Sequence, residues 1–363
     1  MSDDLILCTG GGTGGHVFPG LAVAESLSEQ WDGTIGWIGS ARVVERDIVA
    51  SYGLSFWSIP AGKLRRYVSP ANLVDLFRVV AGFLASVAVL ARLRPTALFS
   101  KGGFVSVPPV VAAWVLGIPV FSHESDVDPG LATRINARFS RRIFIPYEHS
   151  RRHYPARVQE RLVVTGNPVR RGVVQADPAR GRSFCGFTGA RPVILFSGGS
   201  QGAAQINEIV REALPRLRRR ADVVHQRGRH PAAAPNAGDY VSFEFLVEEF
   251  PDVLAAADLV VCRAGAGTLW ELAATGTAAV LIPLMFGSSR GDQVRNAEVY
   301  SETGAAISLI GDTATPSAVA DAVETLLSDP GRLSHMAEAA ASFGAAEAAP
   351  LIASTLRAAA LRR

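Results

Sequence analysis

The sequence predicts an α/β protein made of two doubly wound, Rossmann-like halves facing a central cleft. Three observations predict it. Short apolar runs alternate with helix-length segments along most of the 363 residues, the pattern of a parallel sheet with crossover helices. A glycine-rich loop, residues 9–15, follows the first run and opens a helical segment. The same strand–loop–helix opening returns near the middle, where residues 193–196 run into the loop SGGSQG. Each half would bind a ligand at the carboxyl ends of its strands, which puts the cleft between them.

The elements follow in order. Strands are expected at 5–8, 34–38, 97–100, 119–122 and 142–145, with a first helix at about 19–29 whose Leu21, Ala24 and Leu27 share a face. A stretch rich in Pro, Gly and Arg from residue 165 onward reads as a linker. Beyond it, strands are expected at 193–196, 222–226, 241–245, 259–262 and 279–283, with helices at about 204–219 and 332–363. The expected domains are 1–165 and 166–340, with 341–363 as a C-terminal helix packing back on the first domain.

Composition narrows the classes. Hydrophobic residues make up 48% and charged residues 19%, which excludes a disordered chain. Cys8, Cys185 and Cys262 are far apart and form no C-x-x-C, so neither a disulfide framework nor a zinc ribbon is expected. A formal net charge of +3 suits an anionic substrate or an anionic membrane surface, and does not call for nucleic acid. The N-terminus lacks the basic and apolar regions of a signal peptide. The apolar run 79–91 falls short of the roughly 20 residues needed to cross a bilayer.

The glycine loops carry the chemistry. Gly10, Gly12 and Gly15 fit G-x-G-x-x-G, but the second strand ends Gly39-Ser40, without the acidic residue a dinucleotide ribose wants. His16 stands directly after the glycines, at the mouth of the first helix. It reads either as a general base beside a bound phosphate or as a helix cap. The second loop offers amides and the Ser200 hydroxyl to a diphosphate. A third, Gly265-Ala266-Gly267-Thr268, opens a helix bearing Glu271, which is either a ribose ligand or a first-turn acid favoured by the dipole. Asp126-Val127-Asp128 is a D-x-D, a metal–diphosphate motif in some transferases and a common chance match. His149 and His153 beside Arg151 and Arg152 read as a solvated basic face, and His225 and His230 as surface. In residues 72–93, Asp75, Arg78, Gly82 and Ser86 form one narrow non-apolar stripe, so the helix is either buried or lies in lipid. Lys63, Arg65 and Arg66 before it and Arg92 and Arg94 after it suit an anionic leaflet.

The segments GGGTGGHVFPGLAVAESL, SKGGFVSVPPVVAA, HESDVDPGLATRINARF, TGNPVR, SGGSQGAAQIN and CRAGAGTLWELAATG stand in the order found in the MurG family. The sequence resembles these bacterial UDP-N-acetylglucosamine transferases, which make lipid II from lipid I, from Gly10 to about Ala305. The resemblance implies a GT-B fold, glycosyltransferase family 28, an inverting reaction, and neither cofactor nor obligatory metal. It implies UDP-GlcNAc as donor, a lipid-linked muramyl-peptide acceptor, and peripheral attachment to the cytoplasmic face of the cell membrane. On matching positions it puts Thr13, Gly14 and Gly15 by the diphosphate and sugar, with His16 as base. Arg170 and the Leu246 backbone would border the uridine. Ser200 and Gln201 would hold phosphate, residues 266–270 (Ala266, Gly267, Thr268, Leu269 and Trp270) would line the donor site, and Glu271 would take the ribose. Asp126, where the family commonly has Asn, and Asp292 with Gln293 would face the donor sugar. An ionised Asp accepts hydrogen bonds but donates none.

Overall fold

The computed structural model describes residues 4–11, 14–62, 70–199, 202–285 and 291–361. They form two compact units. The first comprises Met1–Arg170 with Ala346–Arg363, the second Arg171–Ala345.

The first unit is a seven-stranded, all-parallel sheet: β1 (Leu5–Thr9), β2 (Thr34–Ser40), β3 (Ser55–Ile59), β4 (Ala97–Ser100), β5 (Val120–His123), β6 (Arg142–Ile145) and β7 (Leu162–Val164). Its order is β3-β2-β1-β4-β5-β6-β7. The second unit repeats the plan with β8 (Val193–Ser197), β9 (Asp222–Gln226), β10 (Tyr240–Phe243), β11 (Leu259–Cys262), β12 (Ala278–Leu281) and β13 (Ala306–Ser308), in the order β10-β9-β8-β11-β12-β13. Strand order therefore reverses beside β1 in one unit and beside β8 in the other. Crevices open at such reversals, where neighbouring crossovers leave to opposite faces.

The sequence reading omitted β3, β7 and β13. All three are sheet edges, and each is only partly buried. The expected C-terminal helix is two helices, Pro330–Ala341 and Ala348–Ala360, separated by a turn in which Gly344 has φ 63°. The second of these packs on the first helix, Gly14–Gln30: Ile352 and Leu356 share a core with Leu21, Ala24 and Leu27. The C-terminal segment thus returns to the first unit.

The apolar helix Pro70–Leu93 is built inside out. Asp75, Gly82, Ser86 and Leu90 are buried, whereas Leu76, Phe77, Val80 and Leu84 are 50–69% exposed. These two sets lie on opposite sides at 100° per residue. Small residues allow the close seat: a Cβ on Gly82 would lie 2.2 Å from the Pro60 carbonyl, and one on Gly62 2.2 Å from that of Asp75. Phe83 packs against the core of the sheet. The stretch Asp75–Leu93 has a mean hydropathy of 1.9 and is long and apolar enough to cross a membrane, which the shorter run 79–91 did not suggest. The basic residues Lys63, Arg65 and Arg66 lie outside the described residues, while Arg92 and Arg94 are exposed.

Leu356 is completely buried. Leu356→Ala should lower the unfolding free energy by about 2–5 kcal/mol, the range for emptying such a site. Urea unfolding followed by tryptophan fluorescence measures it, and an unchanged midpoint would mean that the C-terminal helix adds nothing to the first unit.

Candidate functional site

In the first unit, the carboxyl ends of β1, β4 and β5 carry the loops of interest. The first helix begins at Gly14, not near Pro19, and Pro19 lies inside it. The hydrogen bond Pro19 cannot donate is the one to Gly15, an exposed residue, so the helix tolerates it. His16 consequently sits half-buried within the first turn. Thr13 lies outside the described residues, and Gly14 is the first residue of the helix.

The loop after β4 meets this turn. Gly102 and Gly103 have φ of 85° and 77°, a region that favours glycine. A Cβ on Gly103 would lie 2.5 Å from the Gly11 carbonyl and 3.0 Å from Cδ2 of His16. The imidazole therefore rests on bare backbone. After β5, Glu124 accepts hydrogen bonds from the amides of Ser125 (2.8 Å), Asp126 (3.2 Å) and Gly130 (3.0 Å), which closes the 124–130 loop around one carboxylate. His123 is buried and bonded to the Gly166 carbonyl at 2.9 Å, and burial holds its imidazole well below the usual range. Asp126 is half-buried. Asp128 is engaged by Arg134 at 2.9 Å, so the two aspartates of the D-x-D have different surroundings. Among the described residues no three His, Cys, Asp or Glu side chains gather as a metal-binding group. Arg170 stacks over Phe18 of the first helix, 4.9 Å from the ring centre.

A carboxylate does stand at the end of β2, although the strand itself ends Gly39-Ser40. Glu45 folds back to accept from the amide and hydroxyl of Ser40 at 3.1 and 2.7 Å. A Cβ on Gly11 would lie 2.5 Å from its oxygen. Both carboxylate oxygens are thus held by protein.

In the second unit, β8 and β11 end side by side. Ser200 and Gln201 lie outside the described residues. Around them, Gly199 and Gly202 have φ of 82° and 74°. The loop is held from behind: Gln226 donates to the Gly199 carbonyl at 3.2 Å, and a Cβ on Gly202 would lie 2.5 Å from the Arg227 carbonyl. That carbonyl accepts from Asn207 at 3.0 Å. Asn207 Oδ1 bonds His225 at 2.8 Å, and His225 bonds the Tyr240 hydroxyl at 3.1 Å. His225, expected at the surface, is fully buried, because it belongs to β9 and not to the polar loop that follows Gln226.

After β11 the chain turns into the helix Ala266–Thr275, whose N-cap Gly265 makes no side-chain cap bond. The amides of Ala266, Gly267 and Thr268 have no acceptor within the helix and suit an anion. Arg263 ties this turn to its surroundings, donating to Gln205 and to the Ile282 carbonyl, both at 2.9 Å. A cavity of about 390 Å³ lies here, lined by Gly198, Gly199, Gly202, Gly265, Thr268 and Gln293 among others. Gln293 accepts from the Leu284 amide at 3.0 Å, and Asp292 begins the helix Asp292–Glu302. Glu271 is half-buried on the second turn of its helix. Leu269 and Trp270 are buried, with Trp270 edge-on to Phe343, so these two face the core. The Leu246 side chain is also buried. Gln226, Asn207, Arg263 and Glu45 escaped the sequence reading. Asn207 and Arg263 flank the glycine loops without belonging to their glycine pattern, and Gln226, Asn207 and Arg263 act on chain about twenty or more residues away.

Two Rossmann-like units with glycine loops at both strand-order reversals, and an anion-suited cavity at the second, define a nucleotide-sugar enzyme of the GT-B class. Comparison with known proteins makes this specific. Residues 6–145 match the glycosyltransferase family 28 N-terminal domain and residues 193–352 its C-terminal domain. The chain is 43% identical over 382 residues to a UDP-N-acetylglucosamine--N-acetylmuramyl-(pentapeptide) pyrophosphoryl-undecaprenol N-acetylglucosamine transferase from Treponema denticola, covering 97% of each protein. The crystal structure of MurG from Acinetobacter baumannii superposes with a TM-score of 0.74 at 26% identity, covering 98% of this chain and 99% of that one. A UDP-GlcNAc 2-epimerase from Neisseria meningitidis shares the fold at 14% identity, with a TM-score of 0.70 over 98% of this chain and all of the other. The chain belongs to glycosyltransferase family 28 and, within it, to the MurG family.

Burial lowers the His225 pKa from 6.5 to about 4, so the unfolded chain binds this proton more readily than the folded one. The stability this contributes is complete above about pH 6.5 and is lost as pH falls toward 4. From pH 7 to pH 5 the wild type should lose roughly 2 kcal/mol more than His225→Gln, which cannot titrate there. Urea titrations at the two pH values decide it; equal losses would refute the buried neutral histidine.

Proposed function

We propose that this protein transfers GlcNAc from UDP-GlcNAc to the C4 hydroxyl of MurNAc in undecaprenyl-pyrophosphoryl-MurNAc-pentapeptide, converting lipid I into lipid II for peptidoglycan synthesis. The full-length identity to an enzyme of that name carries this reading, and the glycine loops at both strand-order reversals agree with it. The acceptor oxygen bonds to C1 of GlcNAc as the bond from C1 to the diphosphate breaks, inverting the centre. His16 takes the hydroxyl proton. The amides of the loop after β8 and of residues 266–268, with Ser200 and Gln201, receive charge on the departing UDP as dipoles already aligned. Glu271 accepts from the ribose hydroxyls, and the Leu246 backbone and Arg170 border the uracil. Thr13, Gly14 and Gly15 attend the diphosphate and sugar, and Asp126, Asp292 and Gln293 meet the sugar hydroxyls.

The sequence leaves three rival readings: a transferase acting on diacylglycerol, a 2-epimerase, and a non-catalytic sugar-nucleotide-binding scaffold. The epimerase likeness extends to the fold alone. A donor-by-acceptor panel separates all three. Lipid I with UDP-GlcNAc should give lipid II, diacylglycerol should give no glycolipid, and UDP-GlcNAc alone should give no UDP-ManNAc. In the same assay His16→Ala should keep UDP-GlcNAc affinity within a few-fold and lose roughly 10²-fold or more in turnover. Near-normal turnover would remove His16 as the base.

The inside-out helix fits work at a lipid surface on the cytoplasmic face of the cell membrane. Leu76, Phe77, Val80 and Leu84 present one apolar face, and the neighbouring helix Val107–Val115 exposes Trp114 and Val115 at its end. Exposed Arg138 and Arg141 stand close by in sequence to Phe139, whose ring lies 5.1 Å from that of Trp114. Such a face, with cations beside it, suits an anionic bilayer. Phe77→Ser with Leu84→Ser should weaken co-sedimentation with anionic vesicles at least tenfold without lowering the unfolding midpoint. Retained vesicle binding would exclude this face.

A further inference from the structure

A buried carboxylate lies against the first glycine loop, and the reaction described above makes no use of it. Glu45 stands in the first turn of the helix Val43–Ser51 and is 5% exposed. An acid in a first turn is ordinary, since the helix dipole favours it. This one leaves its own helix. It reaches back past the N-cap Arg42 to Ser40, the last residue of β2, and accepts from the Ser40 amide at 3.1 Å and the Ser40 hydroxyl at 2.7 Å.

Two glycines make room for the group. A Cβ on Gly39 would lie 2.2 Å from Oε1, and one on Gly11 would lie 2.5 and 2.6 Å from the two oxygens. The carboxylate therefore occupies the place a Gly11 side chain would take, in direct contact with the loop backbone. The carbonyl of the same Gly11 meets Gly103, where a Cβ would lie 2.5 Å from that oxygen and 3.0 Å from Cδ2 of His16. Gly10 meets His16 as well, since a Cβ there would lie 3.1 Å from the His16 carbonyl. Carboxylate, loop backbone, Gly103 and imidazole thus form one row of contacts without slack. Close-packed rows of this kind transmit displacement from one end to the other.

We infer that Glu45 is a positioning residue for His16: bonded to Ser40 and set against Gly11, it fixes the height of the first glycine loop and, through Gly103, the place of the imidazole. The inference rests on His16 as the base, as given under Proposed function. Glu45 acts by its reach and planar shape, not by its charge. A planar amide of the same length fits the same slot, its oxygen accepting from the Ser40 amide and its NH2 donating to the Ser40 hydroxyl. A carboxylate one methylene shorter keeps the charge but must give up either Ser40 or Gly11.

The test compares Glu45→Gln with Glu45→Asp, read as kcat and KM for UDP-GlcNAc at saturating lipid I, with active enzyme counted by calorimetric titration with UDP. Glu45→Gln should keep kcat within a few-fold of the wild type. Glu45→Asp should lose roughly tenfold or more in kcat, the scale of a small misplacement of a reacting group, while KM for the donor stays within a few-fold. A mere folding defect would lower the count of active enzyme and leave kcat per active molecule unchanged, which would overturn the inference. The reverse order, with Glu45→Asp near wild type and Glu45→Gln impaired, would assign the role to charge and overturn it too. The imidazole gives a second reading that needs no turnover. The ring-proton NMR signals of His16, assigned by their absence from His16→Gln, should coincide in the wild type and Glu45→Gln and move in Glu45→Asp. Signals that stay in place in Glu45→Asp would refute the row of contacts. If His16→Ala turns over at a near-normal rate, it is the base assignment that fails, and the NMR comparison then decides by itself whether Glu45 places the ring.

Discussion

The first unit depends on how closely its backbone can pass itself at the ends of β1 and β4. Gly103 lies against the Gly11 carbonyl and the His16 ring at distances that admit no side chain. That approach needs φ near 80° at two successive residues, which only glycine adopts without strain. Once the loop lies there, the first turn of the helix beginning at Gly14 is fixed, and with it the imidazole. Phe99 in β4 and Val105 just beyond the loop are fully buried. The histidine is placed by an absence of side chain beneath it, which is why the glycines and the His belong to one device.

The second unit solves a related problem differently. Its loop after β8 makes a turn bond of its own, Gly202 N–H to the Gly199 carbonyl at 3.0 Å. Gln226 and the row Asn207, His225 and Tyr240 hold it further from the sheet side. A buried polar row of this kind is stable because each member is satisfied. In the first unit the corresponding acidic position at the end of β2 is closed by Glu45 and Ser40. The two units share strand order and glycine loops, and the second holds a cavity at its described loops.

Much of this was legible in sequence. The strands β9 and β11 were located to the residue, β11 because a central parallel strand is a continuous apolar run. The glycine loops announced both reversals of strand order. Edge strands such as β3 and β13 were not visible, since partial exposure dilutes the apolar signal. His225 was misread because Arg227, Gly228 and Arg229 follow it, and local polarity suggested a turn that starts two residues later. The helix start at Gly14 was hidden by Pro19, which usually marks a first turn. Residues that act across the fold, such as Gln226 on the Gly199 carbonyl, carry no local signal, because the bond depends on a return of chain that periodicity does not encode. The direction in which the helix Pro70–Leu93 faces was equally hidden. Its pattern defines a narrow stripe and a broad one, and the small residues at Gly62 and Gly82 decide which goes inward.

Cys8 lies next to the last residue of β1, and Cys262 is the last of β11. Both are completely buried, and burial pushes both thiols up to about 12; Cys185, in the second unit, goes up to about 11. At neutral pH they hold almost no thiolate, the form that reacts with electrophiles or exchanges with disulfides. The loops beside them are therefore indifferent to oxidants and alkylating agents while the sheets stay closed. Labelling must wait for the strands to part, so the rate of thiol modification becomes a clock for opening. Cys8 keeps time for the first unit, and Cys185 and Cys262 keep time for the second.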